Sequence, residues 1–431
     1  MADVKGKRIV EWLKTTLIVL LAVSALLLGM RTRIFNDIFN AIPLFGNVAD
    51  MVRGSTPGTT EPSSAGVKEA ALPIAIVITS ESGERYGVKY DTALRNAAYD
   101  RTSIILGEAL GSATAQHEIT EDEWREALMG AGLYFEYLMP VKLSILERWL
   151  GSPLQDVSWD VSIRRVFVAF GEEKSSVYYQ DLEDGTFYAA DTASSAGKAQ
   201  ELGIYVPNGA QFAFEAGVGV AENAPYMLLM PGSDHQELRA SVPYSMEELL
   251  DITLDAMGHG NETTSHRYDS EGMLVRIGTQ FNIRAAVQGN VVYLRTDSLP
   301  QGEAEQAYGD SEIIEMARVI VGKTIGSSGS GAEPFFEALE YGENGTRTVL
   351  FGYYIAGARI AMSEERNAAA VTFVGGTIIE LELMYKSFAL SGEYVRLMPE
   401  RQALASAGGE FLLSYRDTGA ERLQPFWLPY G

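Results

Sequence analysis

EWLKTTLIVLLAVSALLLGMR, residues 11–31, is either a signal that is cut away or an anchor that stays. From Thr15 to Met30 sixteen residues carry no charge. As a helix they span about 24 Å, slightly short of a ~30 Å hydrocarbon core. Leu13 lengthens the run, and Lys14 can snorkel to the headgroups beside Trp12. A cleaved signal needs small residues at −3 and −1, whereas this run ends in LLLGMRTR. The sequence therefore predicts a retained transmembrane helix. Lys5, Lys7, Arg8 and Lys14 precede it and Arg31 and Arg33 follow. That balance places the N-terminus in the cytoplasm and the C-terminal portion outside the cell membrane.

The chain has 431 residues, 46% of them hydrophobic, enough for two or three domains with real cores. Residues 1–33 hold six Lys/Arg and two Asp/Glu, so of the net charge of −23 residues 34–431 carry −27. Such a surface repels nucleic acid and anionic lipid, or simply keeps the exported portion soluble. There is no cysteine, which excludes disulfides, thiolate metal sites and cysteine nucleophiles.

Residues 1–33 thus read as a cytoplasmic stub and anchor. In 34–70, Ile34, Phe35, Ile38, Phe39 and Ile42 fit one face of an interfacial helix, followed by the linker RGSTPGTTEPSSAG. A first exported domain, 71–244, opens with the strand LPIAIVITS; YGVKYDTALRNAAYDRTSIILGEALGSA reads largely as helix. Thr120 with Glu123 forms a capping box, as does Ser245 with Glu248 at the start of a second region, 245–431, divisible into 245–310 and 311–431. The predicted class is α+β: antiparallel β-meanders with helices packed on one face, behind one N-terminal transmembrane helix.

Catalytic signatures fail on inspection. VGKT at 321–324 has Ala317 where a phosphate-binding loop needs glycine, and GVGVAE at 217–222 has Glu222 in place of a third glycine. Ser195 stands three residues before Lys198, without the partner motifs of penicillin-recognising enzymes. His259, Glu262 and His266 share a polar segment whose spacing matches no helical face. No catalytic residue, cofactor or metal ligand is assigned.

The tail, LMPERQALASAGGEFLLSYRDTGAERLQPFWLPYG, has Pro399 at a helix start, Tyr415 on a strand, and Leu423, Pro425 and Trp427 in the finish. With the strands FGYYIAGARIAM and the meander through YKSF before it, this resembles the ending of the YycH/YycI family, regulators of a cell-envelope two-component system in Gram-positive bacteria. The resemblance covers the anchor and roughly 245–431. It implies a non-enzymatic regulator that contacts a sensor histidine kinase, with a sister regulator as a second candidate partner in the membrane. Thr15, Ile18, Ala22, Ala25 and Gly29 lie on one stripe of the anchor, and Ala25 and Gly29 permit close backbone approach. Under the resemblance that stripe is the interface; otherwise it is a chance arrangement of small residues. The lipid bilayer is the other partner. An exported module binding a peptide or wall fragment, or an envelope hydrolase, are the alternative readings. Phe426 and Trp427 are expected to close the last core.

Overall fold

AIVIT, residues 75–79, is buried at every position. A run with no polar face must be covered on both sides, which places it inside a sheet. The computed structural model describes residues 68–151, 160–171, 174–193, 205–217, 224–298, 308–327, 330–362 and 366–429. The first sheet comprises β1 (Ala75–Thr79), β2 (Arg85–Lys89), β3 (Thr114–Ile119), β4 (Gly132–Lys142), β5 (Ser162–Phe170), β6 (Ser175–Gln180) and β7 (Phe187–Thr192). In space they run β2-β1-β4-β5-β6-β7-β3, every pair antiparallel.

Six α-helices lie among the described residues: α1 (Thr92–Gly111), α2 (Glu121–Met129), α3 (Leu143–Leu150), α4 (Met246–Ala256), α5 (Asp310–Lys323) and α6 (Glu400–Ala407). Both expected capping boxes are made, Thr120 with Glu123 on α2 and Ser245 with Glu248 on α4. The segment from Tyr86 departs from expectation. Its first residues form β2, and α1 starts only where the Asp91 side chain accepts the Leu94 N–H at 2.9 Å.

β8 (Gln211–Phe212) and β9 (Leu228–Leu229) pair as a small ribbon. The remaining strands in chain order are β10 (Asp234–Ser241), β11 (Ser265–Tyr268), β12 (Leu274–Ile277), β13 (Phe281–Ala285), β14 (Asn290–Arg295), β15 (Glu333–Tyr341), β16 (Thr346–Ile355), β17 (Ala358–Met362), β18 (Ala369–Val374), β19 (Thr377–Met384), β20 (Ser387–Arg396), β21 (Phe411–Asp417), β22 (Arg422–Leu423) and β23 (Pro425–Pro429). Eleven of them form one sheet, β11-β12-β13-β14-β19-β18-β16-β17-β21-β23, with β15 also on β16. β10 pairs with β20 and β22 in a third sheet. The pairing is antiparallel except for β17 with β21, which is parallel.

Helices cover one face of the large sheet: Leu249, Leu250 and Leu254 of α4 and Ile313, Ile314 and Ile320 of α5 share a core with Phe281, Ile283, Val349 and Leu381. The first sheet is different. α1 and α3 cover Ile76, Ile78, Leu133 and Phe135, while Trp124 and Leu128 of α2 cover Ala75, Val77, Tyr134 and Phe167 on the opposite face. The single helical layer expected from the sequence is corrected there, because β1 and β4 have no polar face to leave in water. The described residues, 68–429, fall in one compact unit. Among the described residues no helix is long and apolar enough to cross a membrane; the apolar run at 15–30 lies outside them.

Candidate functional site: a C-terminal clasp and the cleft beside it

The tail motif gathers around α6. The Pro399 carbonyl accepts the N–H groups of Gln402 and Ala403 at 2.8 and 2.9 Å, opening the helix. Proline suits this position because its missing N–H would have no helical partner. The next residue, Glu400, is buried, accepting Lys89 Nζ at 3.1 Å and the Met230 N–H at 2.7 Å. Burial alone would lower the Lys89 pKa, but Glu400, Tyr90 and Glu136 raise it above its usual value. Lys89 therefore stays charged and ties β2 to α6.

Tyr90, in the left-handed region at φ 62°, accepts the Leu413 N–H at 3.2 Å. Burial, with Glu400 nearby, pushes its phenol up to about 12. Trp427 packs against Phe411, His235 and Tyr90, with ring centroids 4.9, 5.4 and 6.2 Å away. Its indole N–H donates to the Met398 carbonyl at 2.8 Å. The Tyr415 hydroxyl donates to the Gln236 carbonyl at 2.8 Å, and burial raises its pKa. Leu423 is buried opposite Leu238, and Pro425 stands opposite Tyr415. Pro399, Tyr415, Leu423, Pro425 and Trp427 thus meet in one neighbourhood that clasps β10, β2 and α6.

A second tie lies one residue before β21. Glu410 pairs with both Arg164 and Arg165, which also reach Glu136 at 3.2 and 2.9 Å. Burial works to raise the Glu410 pKa, but the two guanidiniums outweigh it and hold the carboxyl at about 2. Four buried or nearly buried charges balance two against two, the condition under which charges are tolerated inside a protein.

Beside the clasp, the ends of β13, β17, β19 and β21 frame an open cleft of about 530 Å³. Met273, Met362 and Met384 supply its apolar lining. Arg284, Arg366, Lys386, Glu271 and Asp417 line it as well. Asp417 is buried at 3% exposure, with Lys386 Nζ at 3.5 Å and the Gly419 N–H donating at 2.9 Å. None of these cleft residues stood out in the sequence, because five separate segments contribute them and no local spacing links them.

The other sequence candidates resolve individually. Thr15, Ile18, Ala22, Ala25 and Gly29 lie outside the described residues, as do Ser195, Lys198 and Glu222. Val321–Thr324 ends α5, with the Thr324 hydroxyl turned back to the Ile320 carbonyl at 2.9 Å. His259 Nδ1 bonds Glu262 at 2.6 Å and Nε2 bonds the Tyr293 hydroxyl at 3.2 Å, whereas His266 is exposed on β11.

The fold defined by these layers is a mixed α+β architecture with large antiparallel sheets. It is similar to the crystal structure of YycH from Bacillus subtilis, with a TM-score of 0.53 at 13% sequence identity, over 84% of this chain and 94% of that one. At that identity the likeness is one of fold. No family model matches the sequence, and no curated protein is significantly similar to it.

Proposed function

We propose that this chain is a single-pass, membrane-anchored extracytoplasmic regulator that acts by binding a sensor histidine kinase, without catalysis of its own. The observation that carries the reading is the YycH-like fold extending over 84% of the chain. The apolar run at 15–30 and the tail motif support it independently. In this reading the N-terminus is cytoplasmic, residues 71–431 are extracellular, and Thr15, Ile18, Ala22, Ala25 and Gly29 face the kinase helices, with a sister regulator as a further neighbour. A regulator of this kind biases two arrangements of the kinase, which needs only a few kcal/mol of differential contact.

The test is site-specific photocrosslinking in native membranes from positions 18, 22, 25 and 29, with adducts identified by mass spectrometry. Kinase adducts with helical periodicity, abolished by Ala25→Leu with Gly29→Leu, are the expected result. Retention in the membrane with no kinase captured from any position would sink the proposal.

A further inference from the structure

The clasp around Trp427 encloses a side chain whose charge can change in mild acid. We propose that His235 is an acid-sensitive latch: a proton taken up there unseats Trp427 and frees β23 from the clasp. The proposal is independent of any contact with a kinase.

Packing is the first ground. His235 on β10 is half-buried, and its ring meets those of Tyr90 and Trp427 edge to face, at 5.7 and 5.4 Å between centroids. Nε2 is buried and has no hydrogen-bond partner among the described residues. A neutral imidazole can leave that nitrogen bare, with its hydrogen on Nδ1, whereas an imidazolium carries an N–H on both nitrogens. Protonation therefore sets a charged, unmet donor among aromatic side chains. Aromatic faces can accept a cation, but the Tyr90 ring already carries the Lys89 ammonium 4.8 Å from its centroid. Trp427 is engaged edge to face by Phe411 at 4.9 Å.

Charge is the second ground. From β2, the buried Lys89 opposes a cation on His235, and Tyr90 beside it is neutral, its phenol pushed up to about 12. Glu400 of α6 is occupied by Lys89 and the Met230 N–H, and Glu136 of β4 also acts on Lys89. On β10, Asp234 favours the proton, but it is exposed and bound by Arg396 of β20 at 3.0 Å. Glu237, two residues on, is engaged by Gln424 at 3.3 Å and Arg422 at 3.8 Å. β21 and β23 contribute Phe411, Leu413 and Trp427 to this neighbourhood, which carry no charge. Burial first, and Lys89 second, hold the imidazole below its ordinary 6.5. The folded chain thus takes the proton less readily than the open one. The latch is closed above about pH 6.5 and loosens as pH falls through the midpoint of His235.

β23 is the element that gives way. Among the described residues it pairs with β21 alone, and Pro425 and Pro429 have no N–H for that ladder. Trp427 fastens the middle of the strand through its ring contacts and its indole bond to the Met398 carbonyl at 2.8 Å. Releasing it bares the backbone edge of β21, a template for another strand.

The test uses the full-length chain in lipid nanodiscs, with histidine rings and tryptophan indoles labelled for NMR. His235→Gln and Trp427→Phe assign the two signals. Protection factors of the β23 amides are followed by hydrogen exchange from about pH 7.5 to about 5, the range that brackets an ordinary histidine. In the expected result His235 titrates below the ordinary histidine value, and at that same midpoint the Trp427 indole signal moves and β23 loses protection. His235→Gln, which has no charge to gain, should keep its protection constant over the range. Protection retained while His235 titrates overturns the proposal, as does an equal loss in His235→Gln. A gain of protection in acid overturns it too, because the rings would then be holding the imidazolium. The first and third results are read on the parent chain, so they do not depend on the variant folding.

Discussion

Glu147 on α3 is 1% exposed, and neither carboxylate oxygen meets a hydrogen-bond donor among the described residues. Burial first, and Asp160 second, push its pKa from an ordinary 4.5 up to about 8. Between those two values the folded chain holds a proton that the unfolded chain has released. Stability therefore falls as pH rises through this window and stays reduced above it. The penalty reaches up to about 5 kcal/mol at alkaline pH. Glu147→Gln keeps the shape and removes the titration. Its thermal midpoint should match that of the parent chain near pH 5 and exceed it by several degrees near pH 8.5. A gain of the same size at both pH values would show that the carboxyl stays charged in the fold.

At the scale of elements, the hairpin joining β13 to β14 builds one wall of the cleft and depends on Gly289. Its φ is 93°, its carbonyl accepts the Tyr385 N–H at 2.8 Å, and a methyl group on its α-carbon would collide with the Tyr385 carbonyl. Gly289→Ala should cost about 2 kcal/mol, through both the left-handed backbone and the collision. A urea midpoint unchanged from the parent would contradict that account. The same scale shows what sequence reading reaches. The capping boxes at Thr120 and Ser245 and the apolar run of β1 were legible because their signals are local. YGVK reads as the start of the following helix by pattern alone, whereas Asp91 marks the true start. β3 and β10 are not legible as strands because their exposed and half-exposed residues are mostly polar, and β15 is not because its buried position is Glu337 while Phe335, Phe336 and Leu339 are half-exposed, the reverse of the usual alternation. Their strand character comes from partners far along the chain. The parallel pairing of β17 with β21 is likewise invisible in a meander pattern, since β18, β19, β20 and α6 lie between them in the chain. The cleft was unreadable for the same reason: Met273 and Asp417 become neighbours only after the sheet forms.

In the molecule as a whole, the boundary expected between 244 and 245 meets several ties that cross it. Arg164 and Arg165 pair with Glu410, Lys89 pairs with Glu400, Trp149 stacks edge-on against Phe336, and Arg148 donates to Ser311 at 3.1 Å. One apolar cluster runs from Ile76 through Leu381. If these ties carry the free energy their burial implies, neither region opens without the other. Native-state hydrogen exchange on the full chain would then give the slowest amides of β1 and β4 the same opening free energy as those of β18 and β19. Glu410→Gln sharpens the test, because it leaves Arg164 and Arg165 sharing Glu136 alone with an uncompensated buried charge. Breaking a buried pair in this way costs about 3–5 kcal/mol. The loss should appear equally in both sets of amides, since one cooperative unit distributes any local damage over all of its slowest openings. A loss confined to β18 and β19 would mean that the two regions fold as separate domains, joined by charges that fix their orientation and not their stability.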